Sequence, residues 1–330
     1  MNVETPNEIA NEIMSIREGE EKYDYALKQL LSNREFLVRI LKRFVKELAP
    51  YSLEEIDKEY LEHEEPLISK VGVEKNTTNQ IEGLNVEDKS NNEGNISYDI
   101  LFKVRYPGEE GRYIGMYIDL ELQGDRYPGY PLEMRGVYYA ARRLGSELTK
   151  IDRHTNYSEL QKVYSIFIVM GNNVPVAERG TATLYEMRKT DIIGSVEVPE
   201  SWYDLINVIM IRIHDEMEST DETLNILKTV CSGLLSKQEK LDTLKRHGVK
   251  VTDSIEKEVN DMSALRNSLE EKYRTQWIAE GKAEENASSL VQYVQRLING
   301  ATCSSVDDAC KLLGRTVQEY NAAKALLAKK

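Results

Sequence analysis

The chain carries two carboxylates and an amide at alternate positions of one short stretch. These residues are Asp119, Glu121 and Gln123, in YIDLELQGD. Ile118, Leu120 and Leu122 alternate with them, so the stretch predicts a strand with one apolar face and one polar face. The polar face is either a solvated sheet surface or a functional site.

A second strand with the same alternation precedes this one and brings a further carboxylate. The runs ISYDILFKVRY and RYIGMYIDLELQ flank PGEEG, which predicts a β-hairpin. A turn centred near Glu109 places Asp99 opposite Asp119, with Glu121 one step away on the same face. A register that differs by two residues remains open.

Three carboxylates at cross-strand distance repel one another and need compensation. Bulk water, a nearby arginine, raised pKa values or a divalent cation could supply it. Mg²⁺ suits one or two carboxylates together with retained waters and a phosphate oxygen. Without metal, the repulsion predicts that Asp99→Asn and Glu121→Gln each raise the melting temperature.

The remaining pattern predicts an α/β core followed by helices. Residues 23–49 have helical spacing with a break near Ser32-Asn33, and another helix is expected over 132–147. KVYSIFIVM is apolar enough for a central strand covered on both faces, and TATLYEM and DLINVIMIRI are weaker strand candidates. Residues 304–327 predict either a helix-turn-helix or a simple packing hairpin, and Asp307 and Asp308 favour the hairpin.

Composition limits the classes of function. The formal net charge of −13 argues against wrapping of nucleic acid by the whole surface, although local basic patches remain open. The 3 cysteines form no CxxC pair, and the sequence shows neither a leader nor a long apolar segment. These features predict a cytoplasmic protein without a membrane partner.

Several segments together resemble the PD-(D/E)xK nuclease family transposases, also called the recombination-promoting nuclease (Rpn) group. The resemblance rests on ISYDILFKV, IDLELQ, RYPGYPLEMRGVYYAARRL, YDYALKQLLSNREFLVRIL, IEGLNVEDKSNNEGN and KVYSIFIVM, in that family's order and spacing. It implies a restriction-endonuclease-like α/β domain over residues 21–215, with a mixed sheet flanked by helices. A tail (1–20) would precede it, and a helical C-terminal region (216–330) would follow.

The resemblance also implies roles for individual residues. Asp99 and Glu121 would hold Mg²⁺, or Mn²⁺ in its place. Gln123 occupies the position that holds lysine in most nucleases of the wider superfamily. A neutral amide can only orient a water by hydrogen bonds, so the metal must supply more of the activation. A helix-borne acid would complete the site, and Asp24 and Asp88 are both candidates.

A group of residues after the hairpin would face a phosphodiester substrate in that family. It comprises Arg126, Arg135, Tyr139 and Arg142. Alternatively, these are surface arginines, one of which neutralises the acid cluster. The implied activity is a Mg²⁺-dependent DNA endonuclease, and the alternative is a degenerate member that binds DNA or protein without cutting. The helical region around 255–296 is the predicted surface for a homo-oligomer.

Overall fold

The chain forms two compact units. The computed structural model describes residues 6–61, 67–68, 87–90, 93–108, 113–148, 157–171, 173–299 and 305–328. The larger unit spans Glu21–Leu265, and the smaller unit combines Met1–Glu20 with Arg266–Lys330.

A six-stranded mixed sheet is the centre of the larger unit. The strands are, in chain order, β1 (Leu67–Ile68), β2 (Glu87–Ser90), β3 (Glu93–Ser97), β4 (Ile100–Pro107), β5 (Tyr113–Gln123), β6 (Lys162–Val169), β7 (Thr181–Glu186) and β8 (Ile206–Arg212). The spatial order is β1-β4-β5-β6-β8-β7, while β2 and β3 pair separately. Strands β5, β6 and β8 are parallel, and β4 and β7 are antiparallel to their neighbours β5 and β8.

Helices lie before, between and after the strands along the chain. They are α1 (Pro6–Leu31), α2 (Arg34–Phe44), α3 (Leu53–Glu55) with a π-helical turn (Ile56–Tyr60), α4 (Leu132–Leu148), α5 (Glu222–Cys231), α6 (Lys237–Arg246), α7 (Asp253–Asn299), α8 (Val306–Leu312) and α9 (Val317–Leu327). The predicted break near Ser32-Asn33 is confirmed, because Asn33 caps α2 by accepting from Glu35 N.

The sheet is covered on both faces, as its parallel strands require. Helix α4 packs on one face against Phe167, Val208 and Met210, and the other face contributes Ile118, Leu120 and Ile166 to the main core with the remaining helices of this unit. Every residue of β6 is buried. The predicted α/β class is therefore confirmed.

In the smaller unit, α8 and α9 pack on the end of α7. Val294, Ala309, Cys310 and Tyr320 form one buried cluster there. Both the helix-turn-helix and the packing hairpin place two helices here, so the choice between them stays a prediction.

The β4–β5 hairpin forms as predicted but in a different register. Pro107 pairs with Tyr113, so the hairpin is centred on residue 110 and Leu101, not Asp99, lies opposite Asp119. The prediction that Asp99 faces Asp119 is wrong, because the turn is centred one residue later than residue 109. A shift of two in the pairing keeps every side chain on its predicted face.

Two glycines of α4 allow a direct test of its packing. A Cβ at Gly136 would lie 2.5 Å from Val208 Cγ1, whereas one at Gly145 would meet no atom within 4 Å. We expect Gly136→Ala to lower the free energy of unfolding by about 1–3 kcal/mol through overpacking. Gly145→Ala should raise it by up to about 1 kcal/mol through helix propensity. Urea unfolding of both variants checks the pair, and equal effects would contradict this packing.

Candidate functional site

Hydrogen bonds connect Asp99 to Glu121 and to the neighbouring Leu122 at the point where β4 begins and β5 ends. The backbone N–H of Asp99 donates to Glu121 Oε1 at 2.9 Å, and the N–H of Leu122 donates to Asp99 Oδ2 at 2.9 Å. Since β5 belongs to the parallel set, this point is the carboxyl edge of the sheet, where open α/β sheets commonly bind ligands.

The polar face of β5 is buried. Asp119 and Glu121 are each 1% exposed, so the alternative of a solvated sheet face is wrong for both. Asp119 Oδ2 accepts a hydrogen bond from Ser165 Oγ at 2.8 Å across the parallel pair. Its other oxygen, Oδ1, accepts no hydrogen bond from any residue that the structure describes. A buried carboxylate oxygen that accepts no hydrogen bond lowers the stability of the folded state, because it loses its contacts with water without replacing them.

Lys28 of α1 also belongs to the cluster, although the sequence did not predict its role. Its Nζ lies 2.7 Å from Asp99 Oδ1 and 2.6 Å from Asp24 Oδ2, with the lysine side chain only 3% exposed. Asp24 and Lys28 are four residues apart on one helix face, and that spacing was the available signal. Asp24, one of the two candidate helix-borne acids, therefore contacts the cluster through Lys28.

Arg135 of α4 contacts the cluster at Glu121 and Gln123. One guanidinium nitrogen lies 3.0 Å from Glu121 Oε2, and another donates to Gln123 Oε1 at 3.1 Å. The guanidinium also lies over the ring of Tyr139, 4.8 Å from its centroid. The structure thus brings Gln123, Arg135 and Tyr139 together, and Arg135 pairs directly with the carboxylate of Glu121.

Burial raises the pKa values of the carboxyl groups of Asp119 and Glu121. For Asp119, burial and the charge of Asp99 outweigh the hydrogen bond from Ser165 and raise its pKa to about 7. For Glu121, burial and the charges of Asp119 and Asp99 hold the pKa well above its usual range. Near neutral pH this pair therefore retains a proton in the folded protein.

Lys28 titrates in the opposite sense. Burial alone would lower its pKa, but Asp99 and Asp24 outweigh burial and raise it above the usual range. Lys28 is therefore a permanent cation of the site at physiological pH.

The other predicted residues take different places. Arg126 pairs with Glu178 at 2.6 Å and lies 3.8 Å from Glu133, so carboxylates already neutralise it. Arg142 is half-buried on α4, two helical turns after Arg135. Asp88 lies in β2 and pairs with Ile96, and the structure describes only its backbone.

Carboxylate oxygens are ligands that hard divalent cations prefer. Four carboxyl groups, those of Asp24, Asp99, Asp119 and Glu121, share two cations, Lys28 and Arg135. When all are ionised, an excess of two negative charges remains. Within the described residues, no group of three or more His, Cys, Asp or Glu is arranged to hold a metal ion. Mg²⁺ can bind through only one or two carboxylates, with waters completing its shell.

Comparisons with known proteins do not place the chain in a family. No family model, curated protein or solved structure matches it. The described helices include none that is both long enough and apolar enough to cross a membrane.

Proposed function

We propose that the chain is a divalent-metal-dependent phosphodiesterase of the PD-(D/E)xK type, with a restriction-endonuclease-like fold and DNA as its substrate. The observation that supports it best is the group of Asp99 with the buried Asp119 and Glu121 at the carboxyl edge of β5. Together with Asp24, and when all four are ionised, these acids exceed Lys28 and Arg135 by two negative charges. Mg²⁺ or Mn²⁺ would supply Lewis-acid activation of water and of the phosphoryl oxygen.

Asp99 and Glu121 would hold the ion. All four of their carboxylate oxygens already accept hydrogen bonds from Lys28, Arg135 and two backbone N–H groups. A carboxylate oxygen has two lone pairs, so each can accept a donor and also contact a cation. The ion would therefore share these oxygens with Lys28 and Arg135, or replace those cations at them.

Lys28 and Gln123 would divide the role that one lysine has in related nucleases. Lys28 supplies a positive charge beside Asp99, although it comes from α1 rather than from the strand. Gln123 Oε1 accepts from Arg135, which leaves the amide nitrogen as the donor end for a water or a phosphate oxygen. Arg135 is the cation placed to stabilise negative charge that develops there.

Neutralising either of the two acids proposed to hold the metal is expected to slow cleavage strongly. We expect Asp99→Asn and Glu121→Gln to lower the rate of Mg²⁺-dependent plasmid nicking by about two to three orders of magnitude. Glu54→Gln, at an exposed acid paired with Lys58, is the matched control and should cut like the parent. If the parent leaves DNA intact over a wide range of Mg²⁺, Mn²⁺ and pH, the enzymatic proposal fails.

Calorimetry adds a test that does not depend on turnover. Because Asp119 and Glu121 retain a proton near neutral pH, binding of Mg²⁺ should release about one proton per ion. Titration of the parent in buffers of different ionisation enthalpy measures this release, and Asp99→Asn should remove the binding heat.

A second candidate is a family member that binds DNA or protein without cutting. It is favoured by the ion pairs that Lys28 and Arg135 already make with both metal-holding acids. It predicts salt-sensitive DNA binding with neither Mg²⁺ heat nor cleavage.

A further inference from the structure

We infer that a second copy of this chain docks on β7 by antiparallel pairing of the two β7 strands. Strand β7 lies at one end of the sheet order, next to β8. No backbone hydrogen bond joins its outer edge to any residue that the structure describes. Such an edge is a template for another strand.

The strand lacks the features that usually protect an edge. TATLYE contains no proline, its only charge is Glu186 at the end, and its pairing with β8 is continuous without a bulge. Its four central residues are exposed, so β7 adds little to the core of its own chain.

Exposed apolar side chains lie on β7 and in the segment that follows it in the chain. They are Leu184, Tyr185, Met187, Ile192, Ile193 and Val196, with Ile192 and Ile193 more than nine-tenths exposed (92% and 96%). Each of these six side chains offers on the order of 100 Å² of surface. Together they supply most of the roughly 800 Å² that each partner of a stable interface buries. The strand backbone adds the remainder.

Local bonds hold this segment in place. Asp191 accepts from Lys189 Nζ at 2.6 Å and from Ser195 Oγ at 3.2 Å, and Gly194 between them has φ of +65°. The two isoleucines therefore lie at the tip of the turn that the Asp191–Ser195 hydrogen bond closes, although exposure of such side chains is unfavourable in a single chain.

The charges of this surface favour self-association. Glu186 pairs with Arg188, and Asp191 with Lys189, so residues 181–196 are neutral within a chain of net charge −13. A two-fold pairing centred on Leu184 places Glu186 opposite Ala182 of the second copy, so no like charges face each other. Two copies can thus meet here without the repulsion expected elsewhere.

Sedimentation velocity of the full chain over a concentration series tests the pairing. We expect the parent to form a dimer, and Leu184→Lys and Ile193→Lys to raise its Kd at least about 10-fold, because each buries an unpaired charge. Leu234→Lys, at a 74% exposed leucine after α5, is the matched control and should leave the Kd unchanged. Hydrogen exchange of the parent should show β7 amides that become more protected as concentration rises.

A parent that remains monomeric throughout would overturn the inference, and so would a dimer without concentration-dependent protection in β7. A dimer that both β7 variants and the control leave intact would place the interface elsewhere, such as the helical region 255–296. None of these results depends on nuclease activity, so the inference and the proposed function fail independently.

Discussion

Replacing Lys28 with methionine is expected to lower the free energy of unfolding by about 3–5 kcal/mol, because it leaves Asp99 without its buried partner. The lysine side chain is 3% exposed and bridges Asp99 and Asp24. Lys58→Met is the matched control, since Lys58 also pairs with an acid four residues earlier but is 68% exposed. We expect that control to cost less than about 1 kcal/mol. Urea unfolding at neutral pH measures both.

A double-mutant cycle shows whether the loss comes from the Lys28–Asp99 pair. In the Lys28→Met/Asp99→Asn double variant the uncompensated charge is absent, so part of the lost stability should return. Losses that simply add would contradict a buried pair at this site. Under the proposed function, Lys28→Met should also lower the rate of Mg²⁺-dependent cleavage, while Lys58→Met should not.

Raising the pH from about 4 to about 7 is expected to lower the free energy of unfolding by on the order of a few kcal/mol through the buried carboxyl group of Asp119. Its pKa is about 7 in the folded protein, against an ordinary value of 3.8. Between these values the folded protein keeps a proton that the unfolded chain has lost. The contribution is therefore fully present below about pH 4 and is lost as the pH rises through about 7.

Asp119→Asn removes this dependence, because an amide does not titrate and does not raise the pKa of Glu121. The stability of the variant minus that of the parent should rise across this pH range and then level off. Chemical unfolding at several pH values gives the difference curve, and Asp242→Asn, an exposed exchange of the same kind, controls for the loss of one carboxyl group. Parallel curves for Asp119→Asn and the parent would show that Asp119 ionises as it does in the unfolded chain.

The structure also revises one expectation about the acid cluster. The sequence predicts that Asp99→Asn and Glu121→Gln both stabilise the metal-free protein by relieving repulsion. Asp99, however, has Lys28 and the Leu122 N–H as partners, so its neutralisation removes a favourable pair. Glu121 carries the cost of burial beside two other acids, so the expected gain remains for Glu121→Gln alone.

Local patterning alone determined most of the sheet and the faces of its strands. Alternation of Ile118, Leu120 and Leu122 with polar residues placed Asp119 and Glu121 on one face, and the apolar run of β6 identified a strand covered on both sides. These predictions hold because side-chain alternation has a period of two wherever a strand forms. They also survive the error in register, since that error was two residues.

Only the tertiary structure decided what surrounds the carboxylates. Whether Asp119 and Glu121 face water depends on α4, and the cation beside Asp99 comes from Lys28, about 70 residues earlier in the chain. Arg126, adjacent in sequence to the site, instead pairs with Glu178. Sequence spacing defines neighbours within one helix or strand, but burial, pKa values and ion pairs depend on which elements pack together, and that packing is set by the whole core.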